Sequence, residues 1–164
     1  MAHLDNKLKW CLNKGKENGK KHRGLREVKP NPELAMRHIT KAQHNLDAML
    51  HNKGKFSDWS VSASFYSMYH CLLAILAKYG YESRNQECTL AAVEMLIDKK
   101  KIDLDKEWLR KIAQFDDALN GEDMLSLRER FQYGIQMMIS ADKLKDIEKD
   151  TKEFIETIRE VLKK

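Results

Sequence analysis

The sequence predicts an all-α fold, an antiparallel up-and-down helical bundle of four to five long helices plus short helices, and three observations lead there. Of 164 residues, 42% are hydrophobic and 34% charged, with only two prolines and seven glycines, a mixture suited to long amphipathic helices and poor in the turns a sheet protein needs. Between Ser57 and Tyr79 the apolar positions Val61, Phe65, Met68, Leu72, Ile75 or Leu76 and Tyr79 recur at steps of four and three, which keeps one helix face apolar throughout. Ala63, Tyr66, Leu73 and Ala77 form a second greasy face, so this helix is expected at the centre of the bundle with neighbours on two sides.

The elements follow in order. Leu4, Leu8 and Leu12 line up on a short helix, and the aperiodic KGKENGKKHRG after it reads as a mobile loop or arm. Asn31 and Pro32 supply an N-cap and a first-turn proline, and Glu33 suits the positive end of the helix dipole. From there to about Asn52 the residues Ala35, Ile39, Ala42, Leu46, Met49 and Leu50 repeat close to a heptad, up to Gly54. Ser57 or Asp58 caps the long helix, which stops near Gly80 and passes into a loop. Leu90, Val93, Leu96 and Ile97 mark a helix over 89–99, and Trp108, Leu109, Ile112, Phe115 and Leu119 another, broken at Asn120-Gly121. A turn through Met124, Leu127 and Phe131 follows, and Ser140 caps a last helix carrying Leu144, Ile147, Phe154, Ile155, Ile158 and Leu162.

Charge and cysteine usage bound the setting. From Lys7 to Lys29 nine Lys or Arg face only Glu17 and Glu27, a local +7 that leaves −2 for the rest of a chain totalling +5. The expected organisation is a basic N-terminal arm over 1–30 and a bundle over 31–164. Cys11, Cys71 and Cys88 are odd in number, far apart and without a CxxC pair, which argues against a disulfide framework and a zinc site and for a reducing cytoplasm. No membrane span is expected, because the apolar run from Phe65 to Tyr81 is too short and carries His70 and Lys78. The N-terminus also lacks the apolar stretch of a secretory leader.

The run SASFYSMYHCLLAILAKYGYESRNQECT resembles the central helix and Gly turn of the archaeal and bacterial HEPN family, and LRERFQYGIQ is similar to its second signature. The resemblance spans roughly 33 to 162 in helix spacing and leaves the basic N-terminus outside. It implies an up-and-down bundle that commonly pairs as a homodimer. Many members stand beside a minimal nucleotidyltransferase, and several are toxins that cut RNA without metal. Active members share an Arg-x4-6-His motif; here Arg128 is followed by Tyr133, an Arg-x4-Tyr, and no histidine occurs after His70. Many relatives also carry a His where this chain has Gln86, next to Arg84 in SRNQECT. Metal-independent cleavage uses groups that titrate near neutrality, which an imidazole does and a phenol of pKa about 10 does not without a large shift.

Each candidate residue also has a plainer reading. Arg128, Arg130 and Tyr133 either bind a phosphate jointly or sit on an exposed helix in ion pairs with Glu122, Asp123 or Glu129. His70 is a functional imidazole or a satisfied core histidine, while His44 and His51 share a face at a seven-residue spacing too wide for zinc ligands, and His38 lies off that face. The basic arm either grips phosphates, with Trp10 stacked on a base, or is a solvated tail docked through Leu4, Leu8 and Trp10. Trp59, Tyr66 and Tyr69 suit core or dimer contact better than a ligand box. The functional expectation is a non-catalytic helical interaction protein that needs no cofactor or metal. It would bind RNA, a nucleotide or a nucleotidyltransferase partner in a toxin–antitoxin-like pair. The alternatives are a metal-independent ribonuclease toxin with a degenerate motif and a structural bundle that binds protein through its apolar faces.

Overall fold

In the computed structural model residues 2–113 and 124–164 are described, and the fold is an all-α helical bundle. In chain order the elements are α1 (Ala2–Lys16), a 3-10 turn (Gly19–Lys21), β1 (Leu25–Glu27), α2 (Pro32–Asn52), α3 (Ser57–Lys78), β2 (Tyr81–Ser83), α4 (Gln86–Asp98), α5 (Glu107–Ile112), α6 (Met124–Tyr133) and α7 (Ala141–Lys163). Five of the described helices have thirteen residues or more. The chain divides into two compact units, one of Met1–His38 with Leu72–Leu104 and one of Ile39–Cys71 with Asp105–Lys164. The expected Phe115, Leu119 and Asn120-Gly121 positions, with Glu122 and Asp123, lie outside the described residues.

In the first unit the segment expected to be a mobile loop is folded. Helix α1 continues through Lys16, burying Leu8 and Cys11, and packs on β1 and α4. Strand β1 pairs antiparallel with β2, Leu25 opposite Ser83 and Glu27 opposite Tyr81, where the sequence suggested only a loop after Gly80. Backbone meets backbone closely here: a Cβ on Gly15 would stand 1.9 Å from the Leu25 carbonyl oxygen, and one on Gly24 2.4 Å from that of Cys11. Arg26 closes the end of α1 by donating from Nε to the Gly15 carbonyl and from Nη2 to that of Gly19, both at 2.5 Å. His22 is buried and accepts the Gly24 N–H at Nδ1 (3.3 Å), which assigns the ring proton to Nε2, 3.3 Å from Glu82 Oε1.

The cysteine expectation is corrected. Cys11 and Cys88 form a disulfide whose Cα atoms lie 5.6 Å apart across 77 residues of sequence. An odd count excludes full pairing but not one pair, and spacing along the chain says nothing of which helix α1 will lie on. Cys71 is the remaining free thiol; burial pushes its pKa up to about 12 despite the opposing charge of Arg159.

The second unit is organised around α3. Val61, Phe65 and Met68 are buried on the expected stripe, but the second face differs: Ser60, Ser64, Ser67 and Cys71 are fully buried, whereas Tyr66 is 36% exposed. Hydropathy overlooks this face because hydroxyls score as polar, yet each finds a partner. Ser60 Oγ donates to the Met49 carbonyl (2.8 Å) and Ser67 Oγ to that of Ala42 (2.7 Å), a falling register that sets α2 antiparallel to α3. Ser64 meets Thr151 Oγ1 at 2.5 Å, and Thr151 donates to the Ile147 carbonyl within α7. Helix α7 also runs antiparallel to α2, tied by Lys53–Glu148 (3.0 Å) and by Arg159 Nη2 to Gln43 Oε1 (3.2 Å). Its buried Leu144, Ile147, Phe154, Ile155 and Ile158 follow the expected stripe, and Ser140 caps it by accepting the Lys143 N–H. Asn31 caps α2 in the same way, its side chain accepting the Leu34 N–H at 2.9 Å. By length and composition α3 is the one described helix able to cross a membrane, but 72% of its apolar window is buried inside the protein, as in a core helix.

Two outcomes follow. Native, unreduced protein should show no fast-reacting thiol at about pH 8; unfolding alone should expose Cys71 and further reduction Cys11 and Cys88, whereas a rapid native reaction would contradict the buried thiol or the disulfide. Acid should also weaken the fold. Burial alone would raise the Glu82 pKa, but hydrogen bonds from Arg84 and His22 outweigh it and hold the carboxyl below 4.5; those from Lys152 and Lys53 hold Glu148 below 4.5 against a smaller burial effect. Both carboxylates therefore add stability that is present above pH 4.5 and lost as pH falls through their lower folded-state values. The melting temperature should drop between about pH 5 and pH 3, and replacing both Lys53 and Lys152 by Ala should flatten that drop; an unchanged slope would remove Glu148 from the account.

Candidate functional site

Helix α6 turns Arg128 and Phe131 to one side, where each is 6% exposed, while Glu129 and Arg130 face out. The Arg128 guanidinium enters an aromatic corner of α3. Its centre lies 4.8 Å from the Phe65 ring centroid and 5.6 Å from that of Tyr66. Phe65 stacks on Tyr69 at 5.9 Å and meets Tyr66 edge-on at 5.3 Å, so three rings one and four residues apart on α3 hold one another in place. Such cation–π contacts contribute about 0.5–2 kcal/mol, more as the charge is desolvated.

Among the described residues the polar partners are few for a buried cation. Arg128 Nη1 donates to the Tyr66 hydroxyl at 3.0 Å and to Gln132 Oε1 at 3.3 Å. Among the described residues its Nη2 has the Glu129 carboxylate at 3.6 Å, 56% exposed, beyond the reach of a strong charge-assisted bond and screened by water. Arg128 Nε is buried with no hydrogen-bond partner among the described residues. An unpaired buried donor costs about 1–3 kcal/mol, more on a charged group. The arrangement is a desolvated cation with unused donor capacity, and an oxyanion such as a phosphate is the chemistry that would complete it.

The other predicted residues are dispersed. The exposed-helix reading of Arg128 is corrected, since its side chain is buried, although its pairing with Glu129 is present. Arg130 is exposed, lies 5.5 Å over the Phe131 ring and borders a shallow cavity of about 620 Å³ with Met137, Met138 and Lys143. Tyr133 is 75% exposed. Two residues advance a helix by about 200°, so Arg128 and Arg130 point apart, and the phenol that meets Arg128 is Tyr66. Nothing along the chain links positions 66 and 128, and Gln132 and Phe65 were equally unmarked as partners.

Arg84 and Gln86 belong to the first unit. Arg84 is exposed and donates to Glu82 at 2.9 Å; Gln86 opens α4 behind its cap, Asn85, whose Oδ1 accepts the Cys88 N–H at 3.0 Å. His70 is half-buried on α3, and His44 and His51 are exposed. Among the described residues His, Cys, Asp and Glu side chains form no cluster of three able to hold a metal. The description "HEPN domain" belongs to the family model that matches residues 35–163, well over half of the chain. No curated protein shows significant sequence similarity to it.

Removing the Tyr66 hydroxyl should cost about 1–3 kcal/mol by stranding a charged donor. In an Arg128→Met background, with no donor left to strand, the same Tyr66→Phe change should cost little. Urea unfolding of the four proteins measures this; additive effects would mean that the 3.0 Å contact carries no coupling.

Proposed function

Because the chain belongs to the HEPN domain family, we propose that it is a helical interaction protein that binds RNA or a nucleotide at Arg128 and does not cut it. The observation that carries this reading is the buried guanidinium whose Nε has no partner among the described residues, a donor set for an oxyanion. HEPN membership is compatible with RNA-related or nucleotide-binding function. The absence of cutting rests on the residues around Arg128: its hydrogen-bond partners are a phenol and an amide, and no histidine follows His70 in the chain. A phenol of pKa about 10 is a poor base at neutral pH.

The same reading includes a homodimer and, as the family resemblance suggests, a nucleotidyltransferase partner in a toxin–antitoxin-like pair, while the Cys11–Cys88 disulfide removes the reason for placing it in a reducing cytoplasm. Tyr133, Ile135, Met137 and Met138 are 65–96% exposed, an apolar run whose burial would favour pairing. The runner-up is a ribonuclease, and one observation favours it: the Tyr66 hydroxyl, 36% exposed as a residue, accepts from the Arg128 guanidinium and so stands beside any phosphate held there.

Purified protein incubated with labelled RNA in EDTA decides between them. We expect binding without cleavage from about pH 6 to 9, the range in which a shifted base would act, and at least about tenfold weaker binding in Arg128→Ala. Unchanged binding in a folded Arg128→Ala protein would remove the site. Cleavage that Arg128→Ala or Tyr66→Phe abolishes would establish the ribonuclease instead.

A further inference from the structure

The first unit carries a cleft that the Arg128 reading leaves unused. A cavity of about 700 Å³, within the roughly 300–1,000 Å³ of small-ligand sites, is lined by Trp10 and Lys14 of α1, Lys21 and Arg23 of the following turn, and Asn85 ahead of α4. We propose that this cleft docks single-stranded RNA, with one base stacked on Trp10 and the adjacent phosphates held by Lys14, Lys21 and Arg23.

Several independent features fit that ligand. The Trp10 indole is 44% exposed beside these cations, and Lys7 Nζ lies over its ring at 5.0 Å from the centroid, adding a further cation to the stacking surface. Base–aromatic stacking accepts any base, because every base has a π-face. Lys21 and Arg23 make no ion pair among the described residues, and Lys14 shares only Glu17, at 3.0 Å, so the lining holds three cations against one acid. Asn85 spends its side-chain oxygen on the Cys88 N–H, which leaves its amide NH₂ as a donor for a base edge or sugar. An acidic peptide would satisfy the cations but not the indole.

The walls are also fastened. His22 and Gly24 are buried and alternate with exposed Lys21 and Arg23, both of which line the cleft. His22 is held by Glu82 and Gly24, and the Gly24 carbonyl accepts the Arg84 N–H at 3.0 Å. The Cys11–Cys88 disulfide joins α1 to α4 one residue beyond Trp10 and three beyond Asn85, fixing the stacking wall to the amide wall. A preformed site of this kind avoids most of the ordering cost that a flexible basic tail incurs on binding.

Fluorescence anisotropy with a labelled single-stranded oligouridylate and the full, unreduced chain tests the cleft. Trp10→Ala should weaken binding about fivefold or more, with Trp10→Phe restoring most of it. The pair Lys21→Ala with Arg23→Ala should lower the slope of log affinity against log salt by about 1.4, at roughly 0.7 per phosphate contact. Photocrosslinking with 4-thiouridine RNA should label the peptide containing Trp10, and this label should survive Arg128→Met, which separates the cleft from the site on α6. Affinity and salt slope unchanged in folded Trp10 and Lys21/Arg23 variants would overturn the proposal. So would crosslinks confined to α6, or displacement of the RNA by polyglutamate of equal charge as readily as by unlabelled RNA.

Discussion

Helix α3 has to bury hydroxyls, and that requirement organises the second unit. Ser60, Ser64 and Ser67 are removed from water, where each unpaired hydroxyl would cost about 1–3 kcal/mol. The Met49 and Ala42 carbonyls and Thr151 relieve that cost only at particular registers of α2 and α7. Small side chains let the neighbouring helices come close, and the hydrogen bonds select one register among those that close packing alone would permit. The apolar stripe on the other face, with Phe65 and Met68, provides burial but little directional preference.

The same helix sets the chemistry of Arg128. Phe65, Tyr66 and Tyr69 fall one and four residues apart, so their rings form a wall against which a guanidinium is partly compensated without a close carboxylate among the described residues. A nearer acid would neutralise the charge and leave little for a ligand. Glu129, exposed and 3.6 Å away, does so weakly. Burial and an Nε with no hydrogen-bond partner among the described residues make Arg128 a poor stabiliser of the fold.

The basic N-terminal segment shows how charge composition and structure can part company. Its local +7 and its glycines read as a solvated tail, yet Gly15 and Gly24 are the positions where a Cβ would strike the backbone of a neighbouring segment. Glycine there permits close packing, and the exposed cations are carried on a folded support.

Helix periodicity, caps and the HEPN resemblance were legible from sequence because they rest on local rules: period, dipole, capping chemistry. Asn31, Ser140, the α7 stripe and the apolar face of α3 all stand where those rules put them. The missing imidazole was equally plain, since an absent residue type needs no structure. Contacts between residues distant along the chain were not legible. Cys11 with Cys88, Arg128 with Tyr66, Ser64 with Thr151 and β1 with β2 join positions 54 to 87 residues apart. Pairing at such separations follows from which helix faces meet, and that is settled only when hydrophobic burial and hydrogen-bond satisfaction are solved together over the whole chain. Sequence alone thus determined the helices and the family, while the tertiary structure decided which arginine is buried, which phenol it meets and which basic residues share a cleft.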